Sequence, residues 1–237
     1  MRFFVILPCA GQGKRFGQKK QFVKLFGKEI FLYPLEEILK IGIVDKIILT
    51  FPKENLKEAK KIVHTFFKNV SKIEIISGGK ERQESVFLAL RYIKENFKCD
   101  IVSIHDCVRP LVKKEDFVKS YEILLTKNVD GVILGLPPKD TIKVKDNHFV
   151  KETLNRNNLV LAQTPQTFYF EKIYQGHLWA RKNNISVTDD ASILEKLGKK
   201  IYILKGDYKN IKVTTSEDLI IAKELFKCYF PQRIKRL

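Results

Sequence analysis

Short runs rich in isoleucine and valine alternate along this chain with longer stretches of helical periodicity, and that alternation constrains the fold more than any other feature. The apolar runs fall at 3–7, 46–50, 73–77, 101–105, 131–136 and 201–204. Turn or helix signals bound each of them, as they bound strands buried on both faces. Helical patterns fall at 33–39, 56–67, 81–97, 114–125, 171–183, 190–197 and 217–226. In 81–97, Val86, Ala89, Leu90, Ile93 and Phe97 recur at spacings of three and four and share one face. Thr188 and Ser216 read as N-caps of the last two helices. Such alternation predicts an α/β fold, a mostly parallel sheet covered by helices, in one domain spanning 1–237. In sheets of this kind ligands bind at the carboxyl ends of the strands.

One segment departs from the pattern. Residues 137–160 open with Pro137-Pro138 and contain "TIKVKDNHFVKET", in which Asp146-Asn147 reads as a hairpin turn. A β-arm without a core of its own predicts a partner to pack on, hence a homodimer.

The residues suited to chemistry cluster after the strands. "PCAGQGKRFGQKKQF", 8–22, carries Gly11, Gly13 and Gly17 with the cations Lys14, Arg15, Lys19 and Lys20. The spacing is neither the dinucleotide fingerprint nor a Walker loop. Glycines let backbone N–H groups approach an oxyanion and the cations neutralise it, so the loop suits phosphate. A plain strand–loop–helix connection with surface lysines is the simpler alternative. "SGGKERQESV", 77–86, follows the third run, and its two glycines precede a helix bearing Arg82 and Ser85. "IHDCVRP", 104–110, ends the fourth run, where Asp106, Arg109 and Pro110 make a rigid turn. Asp106 suits a sugar hydroxyl or a metal ion, while a local salt bridge to Arg109 is an equally simple reading. His105 falls on the side opposite Asp106 and reads as structural. Arg156 closes the arm, and Lys212 lies in a short run before the final helix.

Charge enters as a test of rival readings. The formal net charge of +17 invites nucleic acid as a partner. The 35 lysines, however, are dispersed along the chain and interleaved with glutamates, as on solvated helix faces. Only nine arginines are present, and Arg15, Arg82, Arg109 and Arg156 each sit in one of the motifs above, which fits fixed oxyanion recognition. The four cysteines show no C-x-x-C spacing and suggest neither zinc nor a redox pair. No stretch has the roughly 18 consecutive apolar residues of a membrane span. The first residues lack a signal-peptide pattern, so a cytoplasmic location is expected.

Taken in order, "GGKERQESV", "HDxxRP", "D-T-x-K", "R-N-x-L…TPQ-F", "TDDAS" and "NIKVT" resemble the cytidylyltransferases that act on 2-C-methyl-D-erythritol 4-phosphate in the non-mevalonate isoprenoid pathway. The resemblance covers about 3–222. It implies a Rossmann-like nucleotidyltransferase fold and attack of the acceptor phosphate on the α-phosphorus of CTP, with pyrophosphate leaving. It implies that Arg15, Lys20 and Lys212 are catalytic cations. The nucleotide would be surrounded by Pro8, Ala10, Gly11, Gly13, Lys14, Gly79, Arg82, Ser85 and Asp106, and Ser85 would read cytosine. The acceptor, a polyol phosphate, would meet Asp106 and Arg109, with Thr141 and Arg156 reaching over from the arm of a dimer partner. A magnesium ion bridging the phosphates is implied, with no protein ligand assigned to it.

The chain departs from the family pattern in several places. The loop before Lys20 is short and lacks a proline, so Lys19 competes with Lys20; the following Gln21-Phe22 favours Lys20. Cys9 replaces a common alanine, Cys107-Val108 a small pair, and Lys80 stands where an acid is frequent. The rival readings are a ribitol 5-phosphate cytidylyltransferase, a uridylyl- or adenylyl-transferase for sugar phosphates, and a non-catalytic basic nucleic-acid-binding protein.

Overall fold

The computed structural model describes residues 1–10, 22–67 and 71–231. The first apolar run forms β1 (Phe3–Pro8), buried throughout. A small hairpin, β2 (Lys24–Leu25) and β3 (Lys28–Glu29), turns through Phe26 and Gly27, both at positive φ, as a tight two-residue turn requires. The chain continues through α1 (Leu32–Leu39), β4 (Val44–Phe51), α2 (Leu56–Phe66), β5 (Ile73–Ser77), α3 (Arg82–Asn96), β6 (Ile101–Ile104), α4 (Lys114–Thr126) and β7 (Gly131–Leu136). After β8 (Lys143–Asp146) and β9 (Phe149–Thr153) come β10 (Leu161–Tyr169), α5 (Phe170–Lys182), α6 (Ala191–Lys196), β11 (Ile201–Lys205) and α7 (Ser216–Tyr229).

Seven strands form the main sheet in the order β11-β7-β10-β6-β1-β4-β5. Alternation along β1 divides the core into two layers. Phe3, Val5 and Leu7 face Leu35 and Ile38 of α1, Ala59 and Val63 of α2, and Phe117 and Leu124 of α4. Phe4 and Ile6 face Val86, Leu90 and Ile93 of α3 and Ile173 of α5. Each fully buried Leu, Ile or Phe contributes about 2 kcal/mol, and the period of two in the strand assigns consecutive residues to opposite layers.

β1 pairs in parallel with β4 on one side and β6 on the other, so the strand order reverses direction around it. The crevice outside the carboxyl ends of β1 and β6 is therefore the switch point at which such sheets bind ligands. Backbone bonds carry the ladder past the strand ends: Cys9 N–H donates to the Thr50 carbonyl, Gly78 N–H to Phe51 and His105 N–H to Ile6.

All six predicted strands are present, but β10 is an addition. It lies antiparallel between β6 and β7, inside the sheet. "LAQTPQTFY" contains Pro165, which has no N–H to give a ladder and reads as a breaker. The register shifts between Gln163 and Gln166, and this irregularity accommodates the proline. Two caps also differ. Asp190, not Thr188, precedes α6, and Thr215, not Ser216, caps α7 by accepting from Asp218 N–H. Thr215 adopts the extended backbone of an N-cap, and its capping box with Asp218 leaves Ser216 as the first helical residue. Residues 143–153 form the expected hairpin as a separate two-stranded sheet, with Asn147 at positive φ in its turn.

Candidate active site

Three turns meet at the crevice. The turn after β6 carries Asp106, which is buried and surrounded by cations from distant parts of the chain. Arg82, from the first turn of α3, places Nε 2.8 Å from Asp106 Oδ1. Lys212 places Nζ 2.9 Å from Oδ2, and Arg109 Nε lies 3.4 Å from the same oxygen. Burial alone would raise the Asp106 pKa, but the charges of Arg82, Lys212 and Arg109 prevail and hold it well below the usual carboxylate range. Both readings of the Asp106–Arg109 pair therefore converge: the two are bonded to each other, and the carboxylate stands at the focus of three cations.

The segment before α7 is stitched to this turn. Val213 N–H donates to the Val108 carbonyl, Arg109 Nη1 to the Asn210 carbonyl at 2.7 Å, and Asn210 Nδ2 to the Thr164 carbonyl at 2.8 Å. These bonds bring Lys212 to Asp106 across 106 positions of sequence. Asp106 N–H donates to Thr164 Oγ1, which also bonds His105 Nδ1 at 2.9 Å. His105 is structural as expected, and burial lowers its pKa to about 3. Its task is to orient Thr164 behind the Asp106 backbone.

These groups line a cleft of about 470 Å³. Arg82, Asp106, Arg109 and Lys212 supply its charged wall, and Ile133, Val160, Ala162 and Ile203 supply apolar surface opposite in chemistry. Thr164, Gln166, Thr188 and Asp189 also line it. Sequence reading missed these four, because "TPQ" and "TDD" show no spacing of their own and became part of a site only through β10. A hollow of about 610 Å³ at the α2–β5 edge of the sheet is larger, but beside Val63, Phe67, Ile73 and Ile75 it has only Lys60, His64, Ser71 and Glu74, and no cluster of cations around a buried carboxylate.

The glycine turn after β5 lies beside the end of β1. A side chain on Gly78 would run into Ala10 Cβ and approach Ser85 Oγ to 3.0 Å and Thr50 Cβ to 3.1 Å. Gly78 is thus required by close approach. Ser85 is fully buried; its hydroxyl donates to the Glu81 carbonyl at 2.8 Å and accepts from Gly79 N–H at 3.1 Å. The hydroxyl expected to read a base is engaged in shaping the turn, so any base would meet the backbone that Ser85 holds.

The expected residues divide into three groups. Pro8, Ala10, Gly79, Arg82, Ser85, Asp106, Arg109 and Lys212 lie at the strand ends around the crevice. Thr141 and Arg156 lie at the two ends of the hairpin segment, exposed; Arg156 Nη1 donates to the Lys139 carbonyl at 2.9 Å, and neither residue lines the cleft of its own chain. Gly11, Gly13, Lys14, Arg15, Lys19 and Lys20 lie outside the described residues.

Comparison with known proteins bears on what this geometry does. The family model described as 2-C-methyl-D-erythritol 4-phosphate cytidylyltransferase (IspD) matches residues 3–227. Over 225 residues the chain is 44% identical to the enzyme of that name from Clostridium beijerinckii, covering 94% of this chain and 97% of that protein. Among solved structures, it is similar to 4-diphosphocytidyl-2C-methyl-D-erythritol synthase from Anaerococcus prevotii, with a TM-score of 0.84 and 29% identity over 95% of this chain and 96% of that one. The Francisella tularensis 2-C-methyl-D-erythritol 4-phosphate cytidylyltransferase gives a TM-score of 0.80 and 32% identity, covering 95% of this chain and all of that one.

Proposed function

The chain belongs to the 2-C-methyl-D-erythritol 4-phosphate cytidylyltransferase family, and on that premise we propose how its own residues carry out the reaction. The enzyme transfers the cytidylyl group from CTP to 2-C-methyl-D-erythritol 4-phosphate. The products are 4-diphosphocytidyl-2-C-methyl-D-erythritol, an isoprenoid precursor, and pyrophosphate. The observation that carries the mechanistic reading is the convergence of Arg82, Arg109 and Lys212 on one buried carboxylate at the switch point of the sheet.

The triphosphate is assigned to the sequence segment 11–20, whose Arg15, Lys20 and Lys14 would balance its charge and whose Gly11 and Gly13 would admit it to the backbone. Pro8, Ala10 and the Gly79 turn, held by Ser85, seat the nucleoside. Asp106 accepts from hydroxyls of the ribose and of the acceptor, and Arg109 faces the acceptor. The acceptor phosphate then attacks the α-phosphorus in line and the pyrophosphate oxygen departs. Lys212 and the loop cations stabilise the charge that builds on the transferring phosphoryl group, a contribution of about 3 kcal/mol for each well-placed donor.

Among the described residues no three His, Cys, Asp or Glu side chains gather as a metal cage. The acids that line the cleft, Asp106, Asp189 and Glu195, are suited to no more than a supporting role. That donor set fits a magnesium ion held chiefly by substrate phosphates, where it would neutralise their negative charge.

The same reading makes the enzyme a homodimer through 137–160. Phe149 is 80% exposed and Val150 64% exposed on the hairpin, and Leu161 and Ile203 are exposed at the sheet. A second copy covering these side chains would let Thr141 and Arg156 serve the partner's cleft. No helix among the described residues is long and apolar enough to cross a membrane; the cytoplasmic location is part of the same proposal.

Pyrophosphate release with CTP and magnesium, offered methylerythritol 4-phosphate and ribitol 5-phosphate in parallel, tests the reading. Release with the first alone is expected, and Lys20→Ala and Arg15→Ala should each lower it by about 10²-fold or more. Release with ribitol 5-phosphate alone would move the enzyme to another acceptor.

A further inference from the structure

Arg82 is gripped from two sides. Its Nε donates to Asp106 Oδ1 at 2.8 Å, and its Nη1 forms an ion pair with Asp190 Oδ2 at 2.8 Å that falls outside hydrogen-bond geometry, so this second hold on the guanidinium is one of charge. Asp190 is outside the cleft and 1% exposed, at the start of α6. Its backbone N–H and that of Ala191 both donate to Gln166 Oε1 at 3.1 Å, and its Oδ1 lies 3.2 Å from His177 Nε2. Burial would raise the Asp190 pKa, but Arg82 and the bond from His177 hold it low, so the carboxylate only accepts. His177 Nε2 therefore carries the proton and donates.

His177 is a poor choice for packing alone. Phe170, Ile173, His177 and Ala180 form the buried face of α5, and an aliphatic side chain at position 177 would complete it. The imidazole instead leaves Nδ1 buried without a partner among the described residues, and a stranded polar atom costs stability. What the imidazole supplies is one hydrogen bond to the carboxylate that fixes Arg82. A planar guanidinium paired with carboxylates on two sides keeps fewer orientations than one paired with a single carboxylate. With Arg82 fixed on Asp106 Oδ1, Oδ2 is left to Lys212 and Arg109 beside the cleft.

We propose that His177 is a positioning residue that acts through Asp190 to hold the Arg82 guanidinium against Asp106. The consequence for turnover rests on the functional reading above; the clamp itself does not. Displacing a reacting constellation by about 1 Å costs as much as 10²-fold in rate, so loss of the clamp should lower kcat by about 10-fold or more.

The test compares His177→Gln, which keeps a donor, with His177→Met, which keeps bulk and removes it. Two readouts are taken on folded protein. One is kcat for pyrophosphate release with methylerythritol 4-phosphate. The other is the Arg82 Nε–H resonance in protein labelled with 15N-arginine, identified by its absence in Arg82→Lys. Nine arginines make this spectrum simple. A slowly exchanging Arg82 signal is expected in wild type and His177→Gln, with near-wild-type kcat in both. In His177→Met the signal should broaden or vanish and kcat should fall.

Wild-type kcat and an intact Arg82 signal in His177→Met would overturn the proposal, as would loss of the signal without loss of rate. Should His177→Met fail to fold, Asp190→Asn takes its place at the same two readouts, because it keeps volume and removes charge. A wild type without turnover would overturn the functional reading instead. The arginine spectra would still decide the clamp, a retained signal in His177→Met counting against it and a lost one for it.

Discussion

At the scale of single residues, Asp106 and His105 are sequence neighbours with opposite tasks. Asp106 is kept charged by Arg82, Lys212 and Arg109, and His105 is kept neutral by burial, its pKa lowered to about 3. The unfolded chain takes a proton on a histidine below about pH 6.5, whereas folded His105 does not. Its contribution is thus complete above that pH and is lost as pH falls toward 3, by about 1.4 kcal/mol for each unit. Urea titrations at about pH 7 and about pH 5 should show a larger loss for wild type than for His105→Gln; equal losses would sink this account. Lys212 differs again. Its side chain is 39% exposed and Asp106 keeps two guanidinium partners without it, so Lys212→Ala should change stability by no more than about 1 kcal/mol. Turnover should nevertheless fall by about 10²-fold, measured as kcat beside the melting temperature. The identity of Asp106, Arg109 and Lys212 as candidates was legible in the sequence, through their motifs. That Ser85 shapes a turn, that Arg82 is held between two carboxylates, and that Thr164 and Thr188 line the cleft were not, because each depends on neighbours distant in the chain.

At the scale of elements, the turn from β5 into α3 is built on contact between backbones. Gly78 sits against Ala10, Thr50 and Ser85, so Gly78→Ala must push the end of β1 away from β5. Overpacking of this kind costs about 1–3 kcal/mol, and the displaced backbone is the part of the crevice proposed to seat the nucleoside. Denaturation and CTP-binding titrations should show both losses together; a destabilised variant with unchanged CTP affinity would place the nucleotide elsewhere. Elements with a clean period were readable along the chain. In α3, Val86, Leu90 and Ile93 repeat at helical spacing, and the burial of that face follows directly. β10 was not readable, since Pro165 breaks the strand signal and only pairing with β6 on one side and β7 on the other makes a strand of it. The caps of α6 and α7 shifted by one or two residues for a similar reason: several serines, threonines and aspartates compete at each helix start, and backbone angles select among them.

For the whole molecule, the exposed apolar side chains on the hairpin and at the sheet make a concrete prediction about assembly. Phe149 is 80% exposed; on the proposed dimer, wild type should elute and scatter light as a dimer, and Phe149→Asp should yield a folded monomer with activity reduced by at least about 10-fold, because the partner's Thr141 and the partner's Arg156 would then be missing from the cleft. A fully active monomer would remove the arm from the mechanism. The dispersed lysines bear on a different property, since a net charge of +17 favours encounter with polyanionic substrates.

The sequence by itself determined the helices and every strand of the main sheet except β10, and with them the α/β class. Those depend on local periodicity, which a linear chain displays. The order of motifs was also sufficient to indicate the family. Only the tertiary structure decided which charges meet. Arg82, Asp106, Asp190 and Lys212 are joined because β1 and β6 end side by side and because α6 and the segment before α7 return to them. The interaction between charges depends on their separation in space and their burial, and sequence distance measures neither.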